Sequence, residues 1–81
     1  MADSKKILIV EDEEKIAEAI EAYLKNSGYE TSRASKGREA MTRFEKKMPD
    51  LVILDLMLPE ISGEEVCRHI RRTSRTPVIM L

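Results

Sequence analysis

Three unbroken apolar runs punctuate the chain. Ile7-Leu8-Ile9-Val10 ends on Glu11-Asp12, Leu51-Val52-Ile53-Leu54 ends on Asp55, and Val78-Ile79-Met80-Leu81 comes last. Each run is four residues, rich in β-branched side chains and apolar at both parities. That pattern predicts strands of a parallel sheet covered on both faces. Between the runs the spacing changes. Ile16, Ala19, Ile20, Tyr23 and Leu24 recur at helical intervals and predict a helix with one apolar face. The acids at positions 11 to 14 lie at its N-terminal end, where the helix dipole favours them. Gly28 is placed to stop it.

Tyr29 to Ala34 is polar and weakly alternating, as an edge strand would be. Ser35 is positioned to cap a second helix carrying Ala40, Met41, Phe44 and Met48 on one face, with Pro49 ending it. Met57 to Ile61 reads as a loop. Ser62-Gly63-Glu64-Glu65 has the spacing of a capping box and opens a third helix. That helix is expected to bury Val66, Cys67 and Ile70 and to end with Arg71 and Arg72 at its negative pole. The order βαβαβαβ implies an α/β fold, a parallel sheet with right-handed crossovers and three helices.

Composition narrows the picture. Eighty-one residues suffice for one domain, and 42% hydrophobic with 36% charged residues is a globular balance. A net charge of −1 gives no electrostatic reason to bind nucleic acid or a membrane. No apolar run approaches the length of a membrane span, and no signal peptide follows Met1-Ala2-Asp3-Ser4-Lys5-Lys6. Cys67 is the one cysteine, so no intramolecular disulfide is possible and a cytoplasmic location is expected. The last strand is as apolar as a central one and no helix follows it. Residues 1–81 are therefore expected to be part of a larger domain.

The chemistry lies where strands end. In open parallel sheets, ligands bind beyond the carboxyl ends of the strands, at the point where strand order reverses. A strand order of 2-1-3-4 puts the first and third strands side by side, so that Glu11, Asp12 and Asp55 converge. Carboxylates packed together repel and desolvate one another, and a hard cation such as Mg²⁺ relieves that cost. The competing reading is three solvated acids at strand ends and a helix N-terminus, where acids are common.

Two segments carry a family resemblance. Ile7-Leu8-Ile9-Val10-Glu11-Asp12-Glu13 resembles the first strand and acidic pair of response-regulator receiver domains. Leu51-Val52-Ile53-Leu54-Asp55-Leu56-Met57-Leu58-Pro59, followed by Gly63, resembles their phosphorylation-site strand and loop. Thr76-Pro77-Val78-Ile79-Met80-Leu81 is similar to their fourth strand, so the likeness runs in register through the whole chain. The wording is closest to receivers that precede a winged-helix DNA-binding domain.

The resemblance implies a partial flavodoxin-like fold with strand order 2-1-3-4. It implies a signalling domain rather than an enzyme. Asp55 would take a phosphoryl group from a histidine kinase. Asp12 and Asp55 would ligate Mg²⁺ directly, Glu11 mainly through water, and Met57 through its backbone carbonyl. The family's Thr or Ser after the fourth strand, its Lys after the fifth and its switching aromatic would fall beyond Leu81. Phosphorylation by these 81 residues alone is accordingly expected to be impaired.

Other residues read more plainly. Cys67 and His69 are two apart on a helix and make a poor metal pair, so Cys67 is expected in the core and His69 in solvent. Met41, Phe44 and Met48 read as core. Arg68, Arg71, Arg72 and Arg75 read as a solvated helix end, not a nucleic-acid patch. A dinucleotide-binding or flavin-binding protein would share the architecture, but Glu11-Asp12-Glu13-Glu14 would repel a phosphate. An aspartyl-phosphate hydrolase usually has an acid two residues after its nucleophile, where this chain has Met57. A module that only self-associates is the alternative from another class. One helix covers about two strands, so half of one apolar face is expected to be bare. A homo-oligomer closing that face and the Val78–Leu81 edge follows as an expectation.

Overall fold

The structure, a computed structural model, describes residues 4–81. The leaderless reading of Met1-Ala2-Asp3 lies outside the described residues. Seven elements follow in order: β1 (Lys6–Val10), α1 (Glu14–Asn26), β2 (Glu30–Ala34), α2 (Gly37–Lys47), β3 (Leu51–Leu54), α3 (Gly63–Thr73) and β4 (Val78–Met80). The four strands form one parallel sheet in the order β2-β1-β3-β4. Both the alternation and the strand order match the sequence reading.

The two parities of the strands meet different cover. Leu8, Val10, Val52 and Leu54 point to one side and are fully buried, with Ala40 and Phe44 of α2 and Val66 and Ile70 of α3 in the same core. On the other side Ile7 and Ile9 are buried, on the strand that α1 contacts through the buried Ala17. Beyond α1 the cover stops: Ile79 is 50% and Leu81 55% exposed. The strand starts are pinned as well. Lys6 N–H donates to Asp50 Oδ2 at 2.8 Å, and Asp50 N–H donates to the Lys6 carbonyl at 2.7 Å.

Four local expectations are corrected. Met48, expected in the core with Met41 and Phe44, is 76% exposed, because it lies past the end of α2 as its C-cap. The buried side of α1 is Ala17, with Ile20 and Leu24 half-buried, whereas Ile16 is 45% and Tyr23 72% exposed. Glu14 and Glu21 lie on the β2 side of the helix, where they meet Arg33 at 3.9 and 3.5 Å. Ser35 does not cap α2. Lys36 is the N-cap and its side chain makes no capping bond, while Ser35 N–H donates to Glu39 Oε1 at 3.0 Å. His69 is not simply solvated, because its Nε2 lies 3.3 Å from Glu45 Oε2 of α2. Cys67 is half-buried beside the core.

The helix ends otherwise follow the sequence. Gly28, with φ of 94°, ends α1 while Tyr29 N–H returns to the Leu24 carbonyl. Met48 ends α2 in the left-handed region and Pro49 follows. Ser62 Oγ accepts the Glu65 N–H at 3.2 Å and caps α3. Only that half of the capping box is made, since Glu65 turns its carboxylate to Arg68. At the other end Arg71 donates to the carbonyls of Ser74 and Thr76.

Candidate functional site

The register fixes where the acids fall. Val10 pairs with Leu54, so the residues that follow them, Glu11 and Asp55, leave the sheet side by side. Backbone bonds continue the ladder for one more step: Glu11 N–H donates to the Ala34 carbonyl and Asp55 N–H to the Val10 carbonyl. Strand order reverses here, with β1 turning back to β2 on one side and on to β3 on the other. This is the crevice in which open α/β sheets bind ligands.

Glu11, Asp12 and Asp55 each place a carboxylate oxygen within 4.8 Å of the others. Glu11 is buried, Asp55 half-buried and Asp12 exposed. Burial of Glu11 pushes its carboxyl above the ordinary glutamate range, and the charges of Asp55 and Asp12 push the same way. The Glu13 N–H, donating to Glu11 Oε2 at 3.1 Å, opposes the shift without cancelling it. Met57 N–H donates to Asp55 Oδ1 at 3.1 Å, which fixes the carboxylate relative to the loop. The Met57 side chain itself projects into solvent. Glu11, Asp12 and Asp55 thus lie at one strand-end crevice, and Met57 adjoins it through its N–H.

The donor set suits a hard divalent cation. It offers three carboxylates with an open side at Asp12, and among the described residues no lysine or arginine is paired with any of them. A cleft of about 410 Å³ adjoins Glu11 and Asp12 on the β2 side, walled by Arg33, Ser35 and Glu39. Its arginines are already engaged, Arg33 by Glu14 and Glu21 and Arg43 by Glu39. Sequence reasoning did not find Gly37 and Ile61, which brace the loop after Asp55. Their approach depends on a fold of that loop that no local pattern announces.

Strand order and helix placement are those of the flavodoxin-like fold. The chain superposes on the chemotaxis response regulator CheY4 of Vibrio cholerae with a TM-score of 0.93, at 32% identity, over 96% of this chain and 68% of that one. The family model of the response regulator receiver domain matches residues 7–81, and the chain belongs to that family. It is a receiver domain of two-component response regulators, a signalling domain. Among curated relatives, the alkaline phosphatase synthesis transcriptional regulatory protein PhoP of Bacillus subtilis is 44% identical over 79 residues, 96% of this chain and 33% of that protein. The probable transcriptional regulator ycf27 of Guillardia theta is 47% identical over 76 residues, 94% of this chain and 30% of that protein. The response regulator protein TrrA of Thermotoga maritima, solved in complex with Mg²⁺-BeF, is 42% identical with a TM-score of 0.88, over 94% of this chain and 67% of that one. The chain spans about a third of the length of the curated relatives it matches. Among the described residues, no helix is long and apolar enough to cross a membrane.

Proposed function

We propose that Asp55 is the phosphoacceptor of this receiver domain and that Asp12 and Asp55 ligate Mg²⁺, with Glu11 holding it through water and the Met57 carbonyl completing the set. The observation that carries this is the convergence of three carboxylates within 4.8 Å at the switch point. A histidine kinase is the donor that the family relation suggests, acting in the cytoplasm. The whole protein is read as a transcriptional regulator of the kind it matches, with residues 1–81 the N-terminal part of its receiver domain.

The step is an in-line displacement. An oxygen of Asp55 forms a bond to phosphorus as the bond from phosphorus to the donor's imidazole nitrogen breaks, and the imidazole leaves with the electron pair. Such transfers need positioning and charge cancellation more than covalent help. When bound, Mg²⁺ neutralises charge on the phosphoryl oxygens. The chain's own residues do the rest. Met57 N–H orients the Asp55 carboxylate. Glu13 N–H holds the buried Glu11 carboxylate beside Asp55. The Mg²⁺-BeF complex of TrrA supports the metal assignment by likeness.

Asp12→Asn removes a direct ligand and is expected to weaken Mg²⁺ binding, read by calorimetry or NMR titration. Equal binding by wild type and Asp12→Asn would overturn the site. With no lysine or arginine paired to the cluster among the described residues, labelling of the 81-residue chain by acetyl phosphate is expected to be slow, by roughly 10²–10³ relative to a site with such a stabiliser. The label that does form should vanish in Asp55→Asn.

Self-association is proposed beside this function, not in its place. The bare area around Ile79 and Leu81 supports a homo-oligomer closing the uncovered face and the Val78–Leu81 edge.

A further inference from the structure

The loop from Asp55 to Ser62 carries the acceptor carboxylate, yet it holds an unfavourable backbone. Glu60 has φ of 70°, and Ile61 N–H donates to the Pro59 carbonyl at 2.8 Å, closing a three-residue turn around it. A turn of that kind at a residue with a side chain is rare and strained. Such a conformation persists only where the surroundings over-determine it.

Two buried glycines supply that determination. Gly63 N–H donates to the Leu56 carbonyl at 2.9 Å, closing the loop at its base. A methyl group on Gly63 would collide with the Asp55 carbonyl oxygen and lie 2.8 Å from Leu56 Cα. Gly37, the first residue of α2, faces the far end of the loop. A methyl group there would lie 2.8 Å from Ile61 Cβ, 3.0 Å from its carbonyl oxygen and 3.3 Å from its Cγ2. Ile61 also packs against the core shared by α2 and α3. The bare helix end is therefore a seat for Ile61, and the seat has no spare room. A displaced Ile61 would move a loop only six residues from Asp55.

We infer that Gly37 is a positioning residue for the acidic site, acting through Ile61 to hold the Asp55 carboxylate and the Met57 peptide in register with Glu11 and Asp12. This rests on the Mg²⁺ reading for its affinity readout, but not for its structural one.

The test compares the wild-type chain with Gly37→Ala, Ile61→Gly, the double variant, and Arg38→Gly. The last weakens α2 through its exposed backbone without touching Ile61. Two quantities are read: Mg²⁺ affinity by titration, and the amide shifts of Asp55 and Met57 in metal-free protein. Gly37→Ala should weaken Mg²⁺ binding roughly tenfold, as loss of a group supporting metal ligands does. It should also move both amides. In the double variant, where the Cβ and Cγ2 that the methyl meets are gone, adding Gly37→Ala should move neither readout beyond its value in Ile61→Gly alone. Arg38→Gly should change neither. Unmoved amides in a folded Gly37→Ala, or equal effects from Arg38→Gly, would overturn the inference. If Gly37→Ala does not fold, Ile61→Gly alone decides: the seat is then empty, and amide exchange at Asp55 and Met57 must rise, or the inference fails. If wild type and Asp12→Asn bind Mg²⁺ alike, the metal reading has failed, and the metal-free amide shifts still decide the role of Gly37.

Discussion

Glu11 is 6% exposed and sits in the company of two other carboxylates. Its raised pKa means the folded chain keeps a proton at pH values where the unfolded chain has lost it. Folding stability from this group is therefore fully present below the ordinary glutamate pKa and is lost as pH rises through the higher folded value. Denaturant unfolding of metal-free protein across that interval should show the decline. In Glu11→Gln the decline should shrink, and stability at neutral pH should rise by about 1 kcal/mol, a usual gain for relieving an unfavourable charge. Saturating Mg²⁺ should remove the same decline in the wild type. Glu11, Asp12 and Asp55 were legible in the sequence because each ends a recognisable buried strand. Gly37 was not, because its clearance is set by Ile61, which a strained turn delivers from 24 residues away.

Helix ends show the same division. Ser62 is readable as a cap because its partner, Glu65 N–H, is three residues on and needs nothing else to be in place. Ser62→Ala should cost about 1 kcal/mol in unfolding free energy. Equal stability would mean that the packing of Gly63 alone defines where α3 begins. Ser35 has the right residue type but sits one position too early, and Glu39 reaches back to it instead. The face of α1 was misjudged for a tertiary reason. Local spacing allows either Ile16–Tyr23 or Ala17–Leu24 to face inward. The docking of α1 on the sheet chooses between them: Ala17 is buried there, with Glu14 and Glu21 beside Arg33 of the neighbouring strand. A pattern confined to one helix contains no record of that choice.

Across the whole molecule, the two choices meet on one surface. At 100° per residue, Ile16, Ile20 and Tyr23 lie on the opposite flank of α1 from Glu14 and Glu21. Since the glutamates face β2, the apolar flank faces β3. Ile53, Ile79 and Leu81 continue the same side of the sheet. The parity of the apolar runs made this face legible in advance, because both sides of each strand are apolar and one helix cannot cover four strands. The edge contributes less than the face. β4 has three residues, and a short edge strand offers few free backbone groups. The face-led arrangement makes a directional prediction. In sedimentation at micromolar concentration the wild-type chain should associate, Ile79→Lys should be monomeric with its helix signal intact, and Met80→Lys should still associate. Met80 lies on the opposite parity, toward α3, so a charge there interrupts an edge contact but leaves the face apolar. Equal loss in both variants would assign the contact to the β4 edge. A monomeric wild type with a sharp unfolding transition would show that the trough beside α1 is tolerated in water without a partner.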